Sequence, residues 1–153
     1  MSRLAFLLAT LLLAAAAPSP AAASAVRIDD SSSQVLTGLV RMQWEHAAPG
    51  RGDDLVGQVT VLVRLDTAPL RGQRGRIYHV LGRLATPVQA SWTTRGPLLP
   101  GTVRDGERTL VYAGPITTDM IEDTFVLTLR ADGGQLARPE QLAFHFEFEP
   151  ELP

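Results

Sequence analysis

The sequence predicts an all-β protein: a single β-sandwich of about eight short antiparallel strands, immunoglobulin-like in architecture, behind a cleaved signal peptide. Three observations predict it. Apolar residues recur with period two in several separate runs, Gly- and Pro-bearing turn signals divide those runs, and no stretch carries the apolar stripe of an amphipathic helix.

The N-terminus comes first. Arg3 supplies a positive charge, Leu4 to Ala17 is apolar, Pro18 and Pro20 break the run, and Ala23-Ser24-Ala25 offers small residues at a cleavage site. These are the three parts of a secretory signal peptide. The apolar run falls short of the roughly 20 residues that a spanning helix needs. The expected organisation is residues 1–25 as signal peptide, 26–33 as a polar arm and 34–150 as the sandwich. Of 153 residues, removal of 25 leaves 128, and loss of Arg3 takes the net charge from −2 to −3. That balance is too mild to imply a nucleic-acid or anionic-membrane partner. With no cysteine, disulfides and thiolate metal sites are excluded and the core must suffice alone. All 14 basic residues are arginine, and neither Lys nor Asn occurs. Their codons are AT-rich, so the composition reads as that of a GC-rich bacterial genome.

The strands follow in order. Val26 to Ser33 is polar, with Asp29, Asp30 and three serines, and reads as a flexible arm. Val35 to Trp44 alternates, with the face ending in Met42 and Trp44 expected inward. Residues 47–54 form a Pro- and Gly-bearing loop. Leu55 to Asp66 places Val59, Val61, Val63 and Leu65 on one face. Pro69 to Gly75 is a Gly- and Arg-rich connection, followed by a β-rich run from Arg76 to Gly82. Val88, Ala90, Trp92 and Thr94 alternate next. Asp105-Gly106 is the strongest hairpin signal in the chain, flanked by Thr102 to Arg104 and Glu107 to Tyr112. Thr118 to Asp123 fits one capped helical turn. Phe125, Leu127 and Leu129 line another strand, which ends at the Asp132-Gly133-Gly134 turn. The last strand alternates most sharply: Leu142, Phe144, Phe146 and Phe148 face one way, and His145, Glu147 and Glu149 the other, as expected of an edge or lid over the core.

Little in the chain carries chemistry. His145 and Glu147 share a strand face about 7 Å apart, a pair that needs a third ligand to hold a metal. His79, inside an apolar run, reads as a half-buried histidine with its hydrogen bonds satisfied, and His46 has no partner in sequence. The nucleophile elbow G-x-S-x-G is missing. Asp29-Asp30 and Asp53-Asp54 are sequence neighbours whose side chains diverge on an extended chain. Arg51-Gly52-Asp53 matches the integrin-recognition tripeptide, and its chance frequency in a Gly- and Arg-rich chain accounts for it. Trp44, Tyr78, Trp92 and Tyr112 stand at strand positions that suit core packing. Arg71, Arg74, Arg76 and Arg83 gather around the Pro69 to Gly75 connection and are the candidate binding residues, for an anion or a partner. No cofactor or metal motif occurs.

An exported, cysteine-free sandwich with a polar N-terminal arm resembles pilus subunits, which complete one another's fold by lending an N-terminal strand. Val26 to Ser33 lacks the alternating register of a donor strand, whereas Val35 to Trp44 has it. The expected function is a non-catalytic binding or assembly module of the bacterial cell envelope, in the periplasm, on the surface or secreted. Its partner is an envelope or surface protein, or another copy of itself. One alternative is a periplasmic anion or small-ligand binding protein that uses the arginine-rich loop. Another is an enzyme accessory domain or small secreted hydrolase.

Overall fold

The computed structural model describes residues 24–37, 42–45, 54–134 and 142–153. Among them, ten strands form two packed antiparallel sheets, so the β-sandwich that the alternation predicts is the fold. In chain order the strands are β1 Val26–Ile28, β2 Gln34–Val35, β3 Gln43–Trp44, β4 Asp54–Asp66 and β5 Arg74–Leu81. β6 Val88–Thr93, β7 Gly101–Arg104, β8 Arg108–Pro115, β9 Met120–Asp132 and β10 Phe144–Pro150 follow. The first sheet runs β1-β10-β5-β8. The second runs β2-β4-β9-β6-β7, with β3 also paired to β4.

The period-two faces meet in one core. Val59, Val63 and Leu65 of β4 and Phe125, Leu127 and Leu129 of β9 are buried with Ala90 and Trp92 of β6. Across the interface stand Ile77 and Leu81 of β5, Val111 of β8, and Phe146 and Phe148 of β10, also buried. Gly75 in β5 is a required glycine: a Cβ there would lie 2.6 Å from Cζ of Phe148, so the ring could not cover the strand.

Five details differ from the sequence expectation. The 26–33 arm opens with β1, paired to β10 as Val26↔Phe148 and Ile28↔Phe146, with Ile28 in the core. Three residues are too few to display a period, and this strand covers an otherwise open flank of β10. Next, Trp44 and Leu36 do not face inward but are 44% and 55% exposed, while Met42 packs partly against the core. β2 and β3 each pair over two residues, both on β4, and Trp44 sits opposite Leu55 near the strand's end. The middle of that expected strand, 38–41, lies outside the described residues, as do residues 46–53 with the Arg-Gly-Asp triplet and residues 1–23 of the expected signal peptide.

The Asp105-Gly106 turn exists, with the Glu107 amide donating to the Arg104 carbonyl at 3.0 Å and Gly106 at a φ of 76°. Yet it does not make a hairpin. β7 pairs with β6 in the second sheet and β8 with β5 in the first, so the turn carries the chain across the sandwich. Its amides are held from both sides: Gly106 donates to the Leu81 carbonyl at 2.9 Å and Asp105 to the Val88 carbonyl at 3.1 Å. A reversing turn fixes direction, whereas ladder partners decide the sheet.

Thr118 to Asp123 is not helical. β9 starts at Met120 and pairs with β4 over its whole length, Met120↔Asp66 to Asp132↔Asp54. Last, β10 is no lid: it lies inside the first sheet, between β1 and β5.

Asp123 explains why the start of β9 was hidden. It stands at an inward position between Ile121 and Phe125, is 4% exposed, and interrupts the apolar alternation. Its Oδ1 accepts from the amides of Arg95 at 3.0 Å and Gly96 at 2.8 Å, and its Oδ2 from that of Leu98 at 2.9 Å. The carboxylate thus organises the loop that closes the sandwich after β6. Asp123→Asn, which turns an amide donor toward backbone donors, should cost about 1–3 kcal/mol. Urea unfolding of the variant beside wild type measures it; an unchanged midpoint would show that the loop does not depend on the charge.

Candidate functional site

The structure sets Arg74 and Arg76 on β5, Arg71 just before it and Arg83 just after it. Arg74 opens β5 and Arg83 follows its end, about 25–30 Å away at the usual strand rise. Arg71 Nη1 pairs with Asp119 Oδ1 at 2.9 Å, and Arg74 Nε with Glu151 Oε2 at 2.9 Å, all four side chains more than half exposed. Arg76 is exposed on β5, and Arg83 lies against Gly106. Exposed pairs of this kind contribute about 0–1 kcal/mol. Neutralising Arg71, Arg74 and Arg76 together should therefore shift stability by no more than about 0.5 kcal/mol per site. A larger loss in thermal unfolding would mean that these pairs hold the β5 turn in place.

His145 Nε2 lies 2.9 Å from Glu147 Oε1, a pair complete in itself. Among the described residues no group of three or more His, Asp or Glu side chains could hold a metal ion, and no helix is long and apolar enough to cross a membrane.

The feature that gathers unusual chemistry lies between the sheets. Among the described residues, β1 pairs with β10 from Phe146 to Phe148, and β2 pairs with β4 at Val61 and Leu62, with the Leu36 amide donating to the Thr60 carbonyl beyond it. These short edge strands cover only part of the flank. A pocket of about 300 Å³ opens there. Its walls are Val59, Val61 and Val63 of β4, Phe125, Leu127 and Leu129 of β9, and Leu142, Phe144 and Phe146 at and before the start of β10. His79 of β5 lines it as well, and Asp30, Ser33 and Val35 stand at its mouth. The turn joining β1 to β2 straps this opening. Ser33 Oγ accepts from the Arg64 amide at 2.8 Å and donates to the Arg64 carbonyl at 3.2 Å, and the Ser33 amide donates to the Asp30 carbonyl at 2.9 Å. Hydrogen bonds from the Ser31 side chain and from the Ser31 amide, the latter to Asp29 Oδ1 at 2.9 Å, hold the Asp29 carboxyl below its ordinary range.

His79 corrects the expectation of a half-buried, satisfied histidine. It is 3% exposed, and its Nδ1 is buried with no hydrogen-bond partner. Aromatic rings surround it: Phe146 stacks at 4.7 Å and Phe144 at 5.1 Å, while Trp92 meets it edge-on at 4.7 Å and Phe125 at 5.7 Å. Removal from water, with a smaller contribution from His145, pushes its pKa down to about 3. The imidazole is neutral at any ordinary pH, so it is a hydrogen-bonding group and not a charge. Position 79 alternates inward with Ile77 and Leu81, which places it in the core; its chemistry comes from four rings contributed by three other strands, which spacing along the chain cannot reveal.

Two further depressions on the second sheet have charged and polar side chains in their linings. One, of about 520 Å³, is bounded by Trp44, Glu45, Gln58 and Thr128. The other, of about 300 Å³, is bounded by Asp54, Arg104 and Arg130. Arg130 is already paired with Glu45 at 2.8 Å. Neither depression contains a buried group left without a partner.

No family model, no curated protein and no solved structure matches this chain.

Proposed function

We propose that this chain is an exported, non-catalytic binding module of the bacterial cell envelope, and that it holds a small apolar ligand in the pocket between its sheets. The observation that carries this reading is the cavity itself, whose lining is apolar apart from Asp30, Ser33 and the neutral His79. A cavity of about 300 Å³ is at the lower end of the size range of small-molecule sites. The arginine-bearing segment stands as the alternative, an anion site, with Arg71 and Arg74 paired to Asp119 and Glu151 at the surface.

The test uses 1-aminonaphthalene, an uncharged probe small enough for a cavity of about 300 Å³, whose fluorescence responds to apolar surroundings. Wild-type protein should bind it, and Val61→Phe, which fills the pocket from β4, should weaken binding at least tenfold with an unchanged circular dichroism spectrum. A wild type that leaves the probe dark would overturn the proposal, as would a folded Val61→Phe protein that binds equally well.

Assembly with an envelope protein is a second reading, favoured by the exposed apolar residues Val35, Leu36 and Trp44 on the β2–β3 flank. Gel filtration and pull-down from periplasmic extract test it, and a monomer that captures nothing counts against it. Export itself has a direct readout: the N-terminus of the exported protein should be Val26 by mass spectrometry, and an intact Met1 would reject it.

A further inference from the structure

We infer that the β2 edge of the second sheet is the contact between two copies of this chain, joined about a two-fold axis that sets Val35 opposite Val35 of the second copy. This rests on the assembly reading and is independent of the pocket and its ligand; it goes further by naming the partner and the register.

The apolar surface is unevenly placed. Among the described residues seven large apolar side chains are exposed, and Val26, Val35, Leu36 and Trp44 lie on β1, β2 and β3 or directly after β2. These strands are the edges of one flank: β1 borders the first sheet, and β2 and β3 border the second along β4. Val35 faces Val61 and Trp44 faces Leu55, so both belong to the core-facing side of the sheet. They are nonetheless 62% and 44% exposed, because the opposing sheet ends at β1 on this flank.

The backbone of β2 is open in the same direction. The Leu36 amide donates to the Thr60 carbonyl at 2.8 Å, which turns Leu36 toward β4. Alternation along the strand then turns the Val35 N–H and C=O away from β4, at a residue more than half exposed. Such an edge is a template for another strand, and proteins ordinarily guard it with charge. β1 carries Arg27, β7 Arg104 and β8 Arg108, whereas Gln34, Val35, Leu36 and Thr37 are all uncharged and all exposed.

Symmetry selects the occupant. Residues that face one another in an antiparallel ladder share a side of the sheet. A two-fold axis normal to the sheet must therefore pass between a residue and its own copy. Centred on Val35, it pairs Val35 with Val35 and Gln34 with Leu36 of the second copy, and sets no charge against its like. On β1, whose middle residue is Arg27, the same operation sets arginine against arginine. Closed two-fold dimers are the commonest assemblies of identical chains. With Val35 on one side of the joined sheet and Leu36 on the other, apolar side chains cover the seam from both faces.

Sedimentation velocity of the exported protein is the experiment. Wild type should form dimers as its concentration rises to about 100 μM, the weak range expected of a short seam. Val35→Glu and Val35→Lys each set like charges opposite one another, and each should weaken the dimer at least tenfold. An equimolar mixture of the two should restore it. Val35→Pro should also weaken it at least tenfold, since proline is tolerated where an edge N–H faces solvent and removes the donor that the seam needs. Circular dichroism identifies any variant that misfolds, and the others then carry the comparison. Dimers unaffected by the folded variants would overturn the β2 contact, and dimers lost in both charged variants but not restored by mixing would overturn the two-fold register. A wild type that stays monomeric would overturn the second copy as the partner. In that case a periplasmic protein captured by wild type and not by Val35→Glu would leave the assembly reading standing with another partner, and no capture would sink both.

Discussion

Lowering the pH from 6.5 toward 3 should cost the folded protein roughly 4–5 kcal/mol through His79 alone, at about 1.4 kcal/mol per pH unit. The folded-state pKa of His79 is about 3, against an ordinary value of 6.5. Between those values the unfolded chain binds a proton at this position and the folded chain does not. Acid therefore favours unfolding across that window, and above pH 6.5 the effect vanishes. The cause is chiefly the loss of water around a ring enclosed by Phe144, Phe146, Trp92 and Phe125, with His145 adding to it. Since a domain is typically stable by about 5–15 kcal/mol, a loss of this size is enough to bring acid unfolding into reach. The carboxylates titrate in the same range, so the diagnostic quantity is a difference. His79→Phe removes the titrating ring with a shape close to the original, and should cost less than about 1.5 kcal/mol at pH 7.5. Its urea midpoint should then fall with acid by much less than that of wild type. Parallel profiles for the two proteins would show that the imidazole charges within the folded state and is not sealed from water.

The second large effect is on β10. Phe146→Ala should destabilise by about 3–5 kcal/mol, the range for truncating a buried aromatic ring. Phe146 is 4% exposed, stacks on His79 at 4.7 Å and meets Phe125 at 6.2 Å. Its neighbour Glu147 points to the other face, where it pairs with His145 and is about a quarter exposed. Glu147→Ala should cost less than about 1 kcal/mol, the ceiling for exposed ion pairs. Slipping β10 by one residue would bury Glu147 and Glu149 and expose the three rings, so a single register is viable. Denaturant unfolding of both variants beside wild type decides the matter, and equal losses would mean that the strand is not half-buried in this way.

Where one face of a strand is apolar and the other polar, the sequence made the fold legible. Leu55 to Asp66, Phe125 to Leu129 and Phe144 to Phe148 were readable because burial rewards each second residue, and the structure buries those faces. The failures have a common physical origin. Asp123 is an inward carboxylate whose partners are backbone amides of a distant loop, and it disguised the start of β9. The β7–β8 turn obeys local turn chemistry, while the sheets on either side of it are decided by long-range ladders. The candidate site was the least legible part. Basic side chains announce themselves in a sequence, so Arg71, Arg74, Arg76 and Arg83 drew attention. An unpaired ring nitrogen does not, because it is defined by what β4, β9, β6 and β10 fail to supply to His79.

The order of strands in the first sheet has a bearing on how the molecule comes into being. In β1-β10-β5-β8 no two neighbours are consecutive in sequence. β10 is the partner of both β1 and β5. Until residues 144–150 arrive, β1 has nothing to join and β5 has a partner only in β8. Assembly of this half therefore waits on closure of the longest loop in the fold, and topologies dominated by such distant pairings fold in about milliseconds to seconds instead of microseconds. For that interval the valine face of β4 and the phenylalanine face of β10 are both in water. The nascent protein is thus exposed to chaperones, and to aggregation, for far longer than a helical bundle of the same length.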